Sequence, residues 1–245
     1  MTNQGLISRN RSGRRLFLQI LASSTPWVLA ARFPKLSRAQ GNIRNSTKSL
    51  EEEVSPGEDL MREHGVLKRI LLIYGEAVRR IGAEENFPPE ALTNSAGIIR
   101  SFIEDYHEKL EENFLFPRFR KANRLVDLVE VFQEQHKAGR RLTDITLQLA
   151  TLKALKDADD RRLLIDSLRQ FIRMYNPHEA REDTVLFPAL HEIFTTGEYD
   201  KLGQDFERKE QELFGEEGFG KMVDRVAAIE KSLGLYDLGQ FTPKE

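Results

Sequence analysis

Two short strings hold the residue types that could do chemistry: His107-Glu-Lys-Leu-Glu111 and, 71 residues later, His178-Glu-Ala-Arg-Glu182. Residues four apart on a helix share a face, one turn from each other. Each string therefore presents an imidazole and a carboxylate side by side. Each is followed at the same distance by Phe-Pro, as Phe116-Pro117 and Phe187-Pro188. One such pair is ordinary. Two in matching context suggest a metal site built between helices.

The correspondence reaches further. His64 matches His136 at an offset of 72, and His107, Glu111, Phe116 and Pro117 match His178, Glu182, Phe187 and Pro188 at 71. The chain thus reads as one helix pair followed by another, related by approximate two-fold pseudosymmetry. Each half supplies one histidine from its first helix and a His-x-x-x-Glu from its second. Four imidazoles and two carboxylates divide evenly between two metal ions, with each glutamate placed to bridge them. These donors suit non-haem iron, with manganese and zinc as the other candidates. The chain has no cysteine, which excludes thiolate sites, iron–sulfur clusters and disulfides. Of five histidines only His191 stands outside the repeat.

Helices must position these residues. Ser55-Pro56-Gly57-Glu58 has an N-cap serine, proline at the first helical position and glutamate at the third, which predicts a capping box. Leu60, His64, Leu67, Leu71 and Tyr74 then recur at four-three spacing to about Ile81, with His64 on the apolar stripe. A second helix is predicted from Pro89 or Glu90 to Phe114 or beyond, with Pro117 as a kink or stop. A third runs from about Leu125 to Leu155, and a fourth from Asp160 to the Phe187-Pro188 region. Pro177, just before His178, marks a candidate distortion. Two shorter amphipathic helices, Tyr199–Phe214 and Lys221–Leu233, are expected to pack on the bundle, with the tail 235–245 docking through Tyr236, Leu238 and Phe241. No segment alternates as a strand does. The predicted fold is all-α, an antiparallel four-helix bundle with two additional short C-terminal helices.

Residues 1–30 read as an export signal. They contain four arginines and no acid, then an apolar run too short and too polar for a comfortable membrane span. Arg14-Arg15-Leu-Phe17-Leu18-Gln19 resembles the twin-arginine signal, which implies export of a folded protein to the periplasm. Residues 31–54 read as linker, 55–195 as the bundle and 196–245 as the C-terminal helices. Formal net charge is -2, so the basic surface that nucleic acid requires is absent.

On these strings the chain resembles the hemerythrin-like, or HHE cation-binding, family. The matching residues are Asp59-Leu-Met-Arg-Glu-His64, His107-x-x-x-Glu111, His136, and His178-x-x-x-Glu182 with Asp183, across about 55–195. The resemblance implies a bundle holding a non-haem di-iron centre, with oxygen, nitric oxide or peroxide as reactants. Oxygen-carrying hemerythrins have a histidine four residues after the third-helix one, where this chain has Arg140. They also bridge through an aspartate five residues after the last histidine, which makes Asp183 an alternative to Glu182. The four-His, two-Glu set is similar to the branch containing bacterial iron–sulfur cluster repair di-iron proteins. The expected function is a di-iron protein that binds or reacts with a small diatomic or peroxide ligand. The alternatives are an iron or oxygen binding module without turnover, and a helical interaction protein with structural metal.

Overall fold

The computed structural model describes residues 54–243. The export-signal segment and nearly all of the 31–54 linker lie outside the described residues.

Helix α1, Pro56–Gly82, starts where its capping residues dictate: the Ser55 side chain accepts from the Glu58 N–H at 3.4 Å, and Pro56 occupies the first turn. The complete reciprocal box forms at the far end of the chain instead, between Thr195 and Glu198. The buried face of α1 carries Leu60, His64, Leu67, Ile70, Tyr74 and Ala77. Helix α2 covers 89–121 and is continuous through Pro117, but its pitch changes along the way. Segments Ile99–His107 and Glu111–Leu115 are π-helical, between α-helical Pro89–Ile98, Glu108–Leu110 and Phe116–Lys121.

Helix α3, Val126–Leu149, stops short of the expected Leu155. Thr151 leaves the helical conformation, and its hydroxyl caps a new short turn, Leu152–Lys156, by accepting from the Ala154 N–H at 3.1 Å. Asp157 then caps helix α4 through the Asp159 and Asp160 N–H groups, both at 3.0 Å. Helix α4 spans 158–186: α-helical Ala158–Arg181, then a π-turn, Glu182–Leu186. Pro177, a candidate distortion that the packing around it could also absorb, is absorbed. The α-helix passes through that position, and the change of pitch comes five residues later.

The π-turns have a reason in sequence. Proline's ring collides with the carbonyl four residues back in an α-helix, and proline has no N–H to donate. Widening the turn before Pro117 and Pro188 removes both conflicts. The preceding Phe187 N–H reaches the Glu182 carbonyl five residues back at 2.9 Å, and the Phe116 N–H pairs likewise with Glu111. In each half, the glutamate of the His-x-x-x-Glu string is the first residue of the π-turn. Such turns occur mostly as single insertions at functional sites.

The four helices close a ring in which α1 packs on α2 and α4, and α3 packs on the same two. Helices α5, Thr196–Phe214, and α6, Gly218–Leu233, pack against α1, with α6 also meeting α2. Phe214 packs edge-on against Phe102 and Tyr106, and Arg69 of α1 donates to Glu230 of α6 at 3.0 Å. The Gly57 N–H, buried in the first turn of α1, donates to the Tyr199 hydroxyl at 3.1 Å. The tail docks less than expected: Leu235 packs against the core and Gln240 donates back to the Gly234 carbonyl at 2.8 Å, but Tyr236, Leu238 and Phe241 are all exposed. Among the described residues there is no strand, and no helix is long and apolar enough to cross a membrane.

Candidate metal centre

One residue from each of α1 and α3, and two from each of α2 and α4, converge in the middle of the ring. His64, His107, Glu111, His136, His178 and Glu182 are all at most 3% exposed. Their donor atoms fall into two groups sharing a carboxylate: His64, His107 and Glu182, and His136, His178 and Glu182. Glu182 Oε2 lies 3.4 Å from His64 Nε2 and 3.1 Å from His178 Nε2. Glu111 Oε2 lies 3.8 Å from His107 Nε2 and 3.4 Å from His136 Nε2. Each glutamate therefore faces one histidine of each group. His191 takes no part and packs on Tyr199.

The outer ring nitrogens are occupied. His64 Nδ1 pairs with Asp183 Oδ1 at 2.7 Å, and His107 Nδ1 with Glu63 Oε2 at 2.7 Å. His136 Nδ1 pairs with Glu112 Oε1 at 3.1 Å, and His178 Nδ1 with Gln135 Oε1 at 2.8 Å. Accepting from Nδ1–H leaves Nε2 pointing inward, a lone-pair donor whenever the ring is neutral, the usual arrangement behind metal-binding histidines. Asp183 thus sits behind His64, partly open to solvent, while Glu182 is the carboxylate that faces the centre. Phe116 stacks on the His136 ring at 5.5 Å and Phe187 on the His64 ring at 5.5 Å, which accounts for the Phe of each Phe-Pro.

The inward-facing atoms are otherwise unsatisfied. Both oxygens of Glu111, both of Glu182, and His136 Nε2 are buried without a hydrogen-bond partner. The close Nε2–Oε2 approaches are not aligned as hydrogen bonds. Leaving such groups unpaired costs roughly 1–3 kcal/mol each, and more when charged. Burial, reinforced by the Glu182 charge, lifts Glu111 well above the usual carboxylate range. Glu182 moves the other way: against burial, the His178 and His64 rings beside it hold its carboxyl well below that range. Against its own burial, Asp183 and Glu182 raise His64 to about 9, whereas burial lowers His136 to about 4. A cluster of buried, unpaired imidazole and carboxylate donors is a poor core and a good cation site. The donor set fits two divalent or trivalent ions of the kind that accept nitrogen and oxygen ligands.

Arg140 does not pair with Glu182. Its Nη2 donates to Glu108 Oε2 at 2.7 Å and Glu112 Oε1 at 2.8 Å. Tyr175 completes this group by donating to Glu108 Oε1 at 2.7 Å. It reaches there only because position 139 is glycine, since a β-carbon there would sit 2.0 Å from the Tyr175 hydroxyl oxygen. Tyr106 instead packs on Phe102 and Phe214. Glu63, Glu112 and Gln135 went unnoticed as histidine partners in the sequence. The repeat could have found them: Glu63 matches Gln135 at offset 72, and Glu112 matches Asp183 at 71.

Comparison with known proteins agrees with this geometry. The hemerythrin HHE cation binding domain matches residues 55–190 and, overlapping, 127–214. The second match begins where the internal repeat would place it. The chain is 48% identical to uncharacterized proteins of Mycobacterium tuberculosis and Mycobacterium bovis, over 94% of its own length and 91% of theirs. No solved structure matches it.

Proposed function

The chain belongs to the hemerythrin HHE cation-binding family, and on that premise we propose that it is a non-haem di-iron protein that binds or reacts with a small molecule such as oxygen, nitric oxide or peroxide. The ligands proposed are His64, His107, Glu111, His136, His178 and Glu182, the four-His, two-Glu pattern, with Asp183 orienting His64. The observation that carries this reading is the set of buried, unpartnered carboxylate oxygens facing four imidazole Nε2 atoms. Iron bound there would supply reversible electron transfer and coordination of the small ligand.

The chain's own residues do the rest. Asp183, Glu63, Glu112 and Gln135 hold the imidazoles in one tautomer. Glu111 and Glu182 supply negative charge that offsets the cations. Phe116, Phe132 and Phe187 pack on the imidazoles and keep bulk water from them. We place the metal-binding bundle at 55–195 and regard the C-terminal helices of 196–245 as an addition packed on the bundle. Export through Arg14 and Arg15 remains part of the proposal. Changing both to lysine should leave the protein in the cytoplasm; unchanged export would remove that element.

The deciding experiment is iron analysis and absorption spectroscopy of the purified full chain, with oxygen and with nitric oxide. Two irons per chain and a spectrum that changes with the added gas are expected. A protein that neither copurifies with iron nor can be reconstituted with it would overturn the reading.

A further inference from the structure

The residues behind the two histidine pairs are not equivalent in charge. Behind His64 and His107 stand two carboxylates, Asp183 and Glu63. Among the described residues, neither is ion-paired with a lysine or arginine within reach, apart from the histidine each one holds. Behind His136 stands Glu112, whose charge is shared with Arg140 at 2.8 Å and Lys109 at 2.5 Å. Behind His178 stands Gln135, a neutral amide. The buried glutamates directly after the second-helix histidines do not discriminate: Glu108 is paired with Arg140 and Glu179 with Lys68.

A carboxylate accepting from Nδ1–H draws the proton away and makes Nε2 a stronger donor, and an amide does so far less. A stronger donor and negative charge that no neighbouring lysine or arginine neutralises both favour the more highly charged metal ion. We propose that the two metal positions are electronically unequal, with the His64–His107 position favouring the ferric state and the His136–His178 position the ferrous state. This rests on the di-iron reading above. One electron from an external one-electron donor would convert two ferric ions to one ferrous and one ferric, at the His136–His178 position, with no bond made or broken in the protein. Glu63, Gln135 and Arg140 then act as positioning residues that set potentials through His107, His178 and Glu112.

The test is a reductive titration of the iron-loaded full chain with dithionite and mediators, followed by electron paramagnetic resonance. The native protein should show two resolved one-electron steps and accumulate the half-reduced form. Glu63→Gln should make the second step easier, and Gln135→Glu and Arg140→Met should make the first harder. Each should narrow the gap by at least tenfold in equilibrium constant, ~59 mV for one electron. A single two-electron step in the native protein, or an unchanged gap in both Glu63→Gln and Gln135→Glu at full iron content, would overturn the inference and leave the di-iron reading standing. Absence of iron from the native protein would overturn that reading first, and this one with it.

Discussion

The helix pair α1–α2 and the pair α3–α4 repeat the same inward-facing parts and differ in what surrounds them. Both have a histidine on the first helix, His-x-x-x-Glu on the second, a π-turn beginning at the glutamate, and a Phe-Pro whose ring stacks on the other pair's histidine. They diverge at Glu63 against Gln135, at Lys68 against Arg140, and in the long π-helical stretch Ile99–His107 of α2, which α4 lacks. The shared parts are those the proposed pair of cations would need directly. Of the divergent parts, Glu63 against Gln135 and Lys68 against Arg140 change the charge around them.

The largest expected effects break the shared parts. Glu111→Leu and Glu182→Leu should each abolish paired metal loading, read as iron per chain. The same change at Glu111 should raise the thermal stability of the metal-free protein, by roughly 1–3 kcal/mol, because an unpartnered buried carboxylate is removed. Loss of stability on Glu111→Leu would show that the carboxylate has a partner in the metal-free protein.

Removing the Nδ1 partners should sharpen the comparison. Substitutions of this kind cost about 10–100-fold in metal affinity. Glu63→Ala should lie near the upper end, since Glu63 is buried and nothing replaces it. Asp183→Ala should lie near the lower end, since Asp183 is about a third exposed and water can take its place. Competition with a chelator would rank them, and equal losses would contradict the difference in burial.

Metal loading should also depend on pH in a direction set by His64. Its pKa in the folded metal-free protein is raised to about 9, so at neutral pH a proton occupies a nitrogen that metal binding needs. Apparent affinity should rise by about tenfold per pH unit for each displaced proton up to about pH 9, accompanied by proton release in unbuffered solution. The stability of the metal-free protein should move oppositely. The His64 contribution is complete below the unfolded value near 6.5 and disappears as pH rises through about 9.

The smallest effects belong to the outer cations. Arg140→Met leaves the buried Glu108 short of a partner and should cost roughly 1–3 kcal/mol in chemical denaturation. Lys68→Met should cost less than about 1 kcal/mol, because Lys68 is half exposed and its pair with Glu179 is screened. Equal costs would mean that the repeat treats these positions alike.

Much of the site was legible because the repeat made it so. Two offsets, 71 and 72, aligned four histidines and two glutamates without any structural information, and the structure brings five of them into two donor groups with Glu111 3.8 Å from His107 and 3.4 Å from His136. The helix ends were less legible. The end of α3 depended on whether Thr151 would cap a new turn or continue the old helix, a choice of about one hydrogen bond. Tyr236, Leu238 and Phe241 stay exposed for a similar reason: three apolar side chains in a short segment offer contact area but no stripe that selects a surface.

The sequence by itself determined the helical periodicity, the residue types that face inward, and the duplication that sets them opposite one another, because these follow from spacing along one chain. Only the tertiary structure decided which acid stands behind which histidine. Glu63 adjoins His64 in sequence but holds His107, and Asp183 adjoins Glu182 but holds His64. Neighbours on a helix point about 100° apart, so a residue beside a ligand cannot support it and must reach across to the ligand of another helix. That pairing, and the inequality of charge between the two positions, exists only once the four helices are packed.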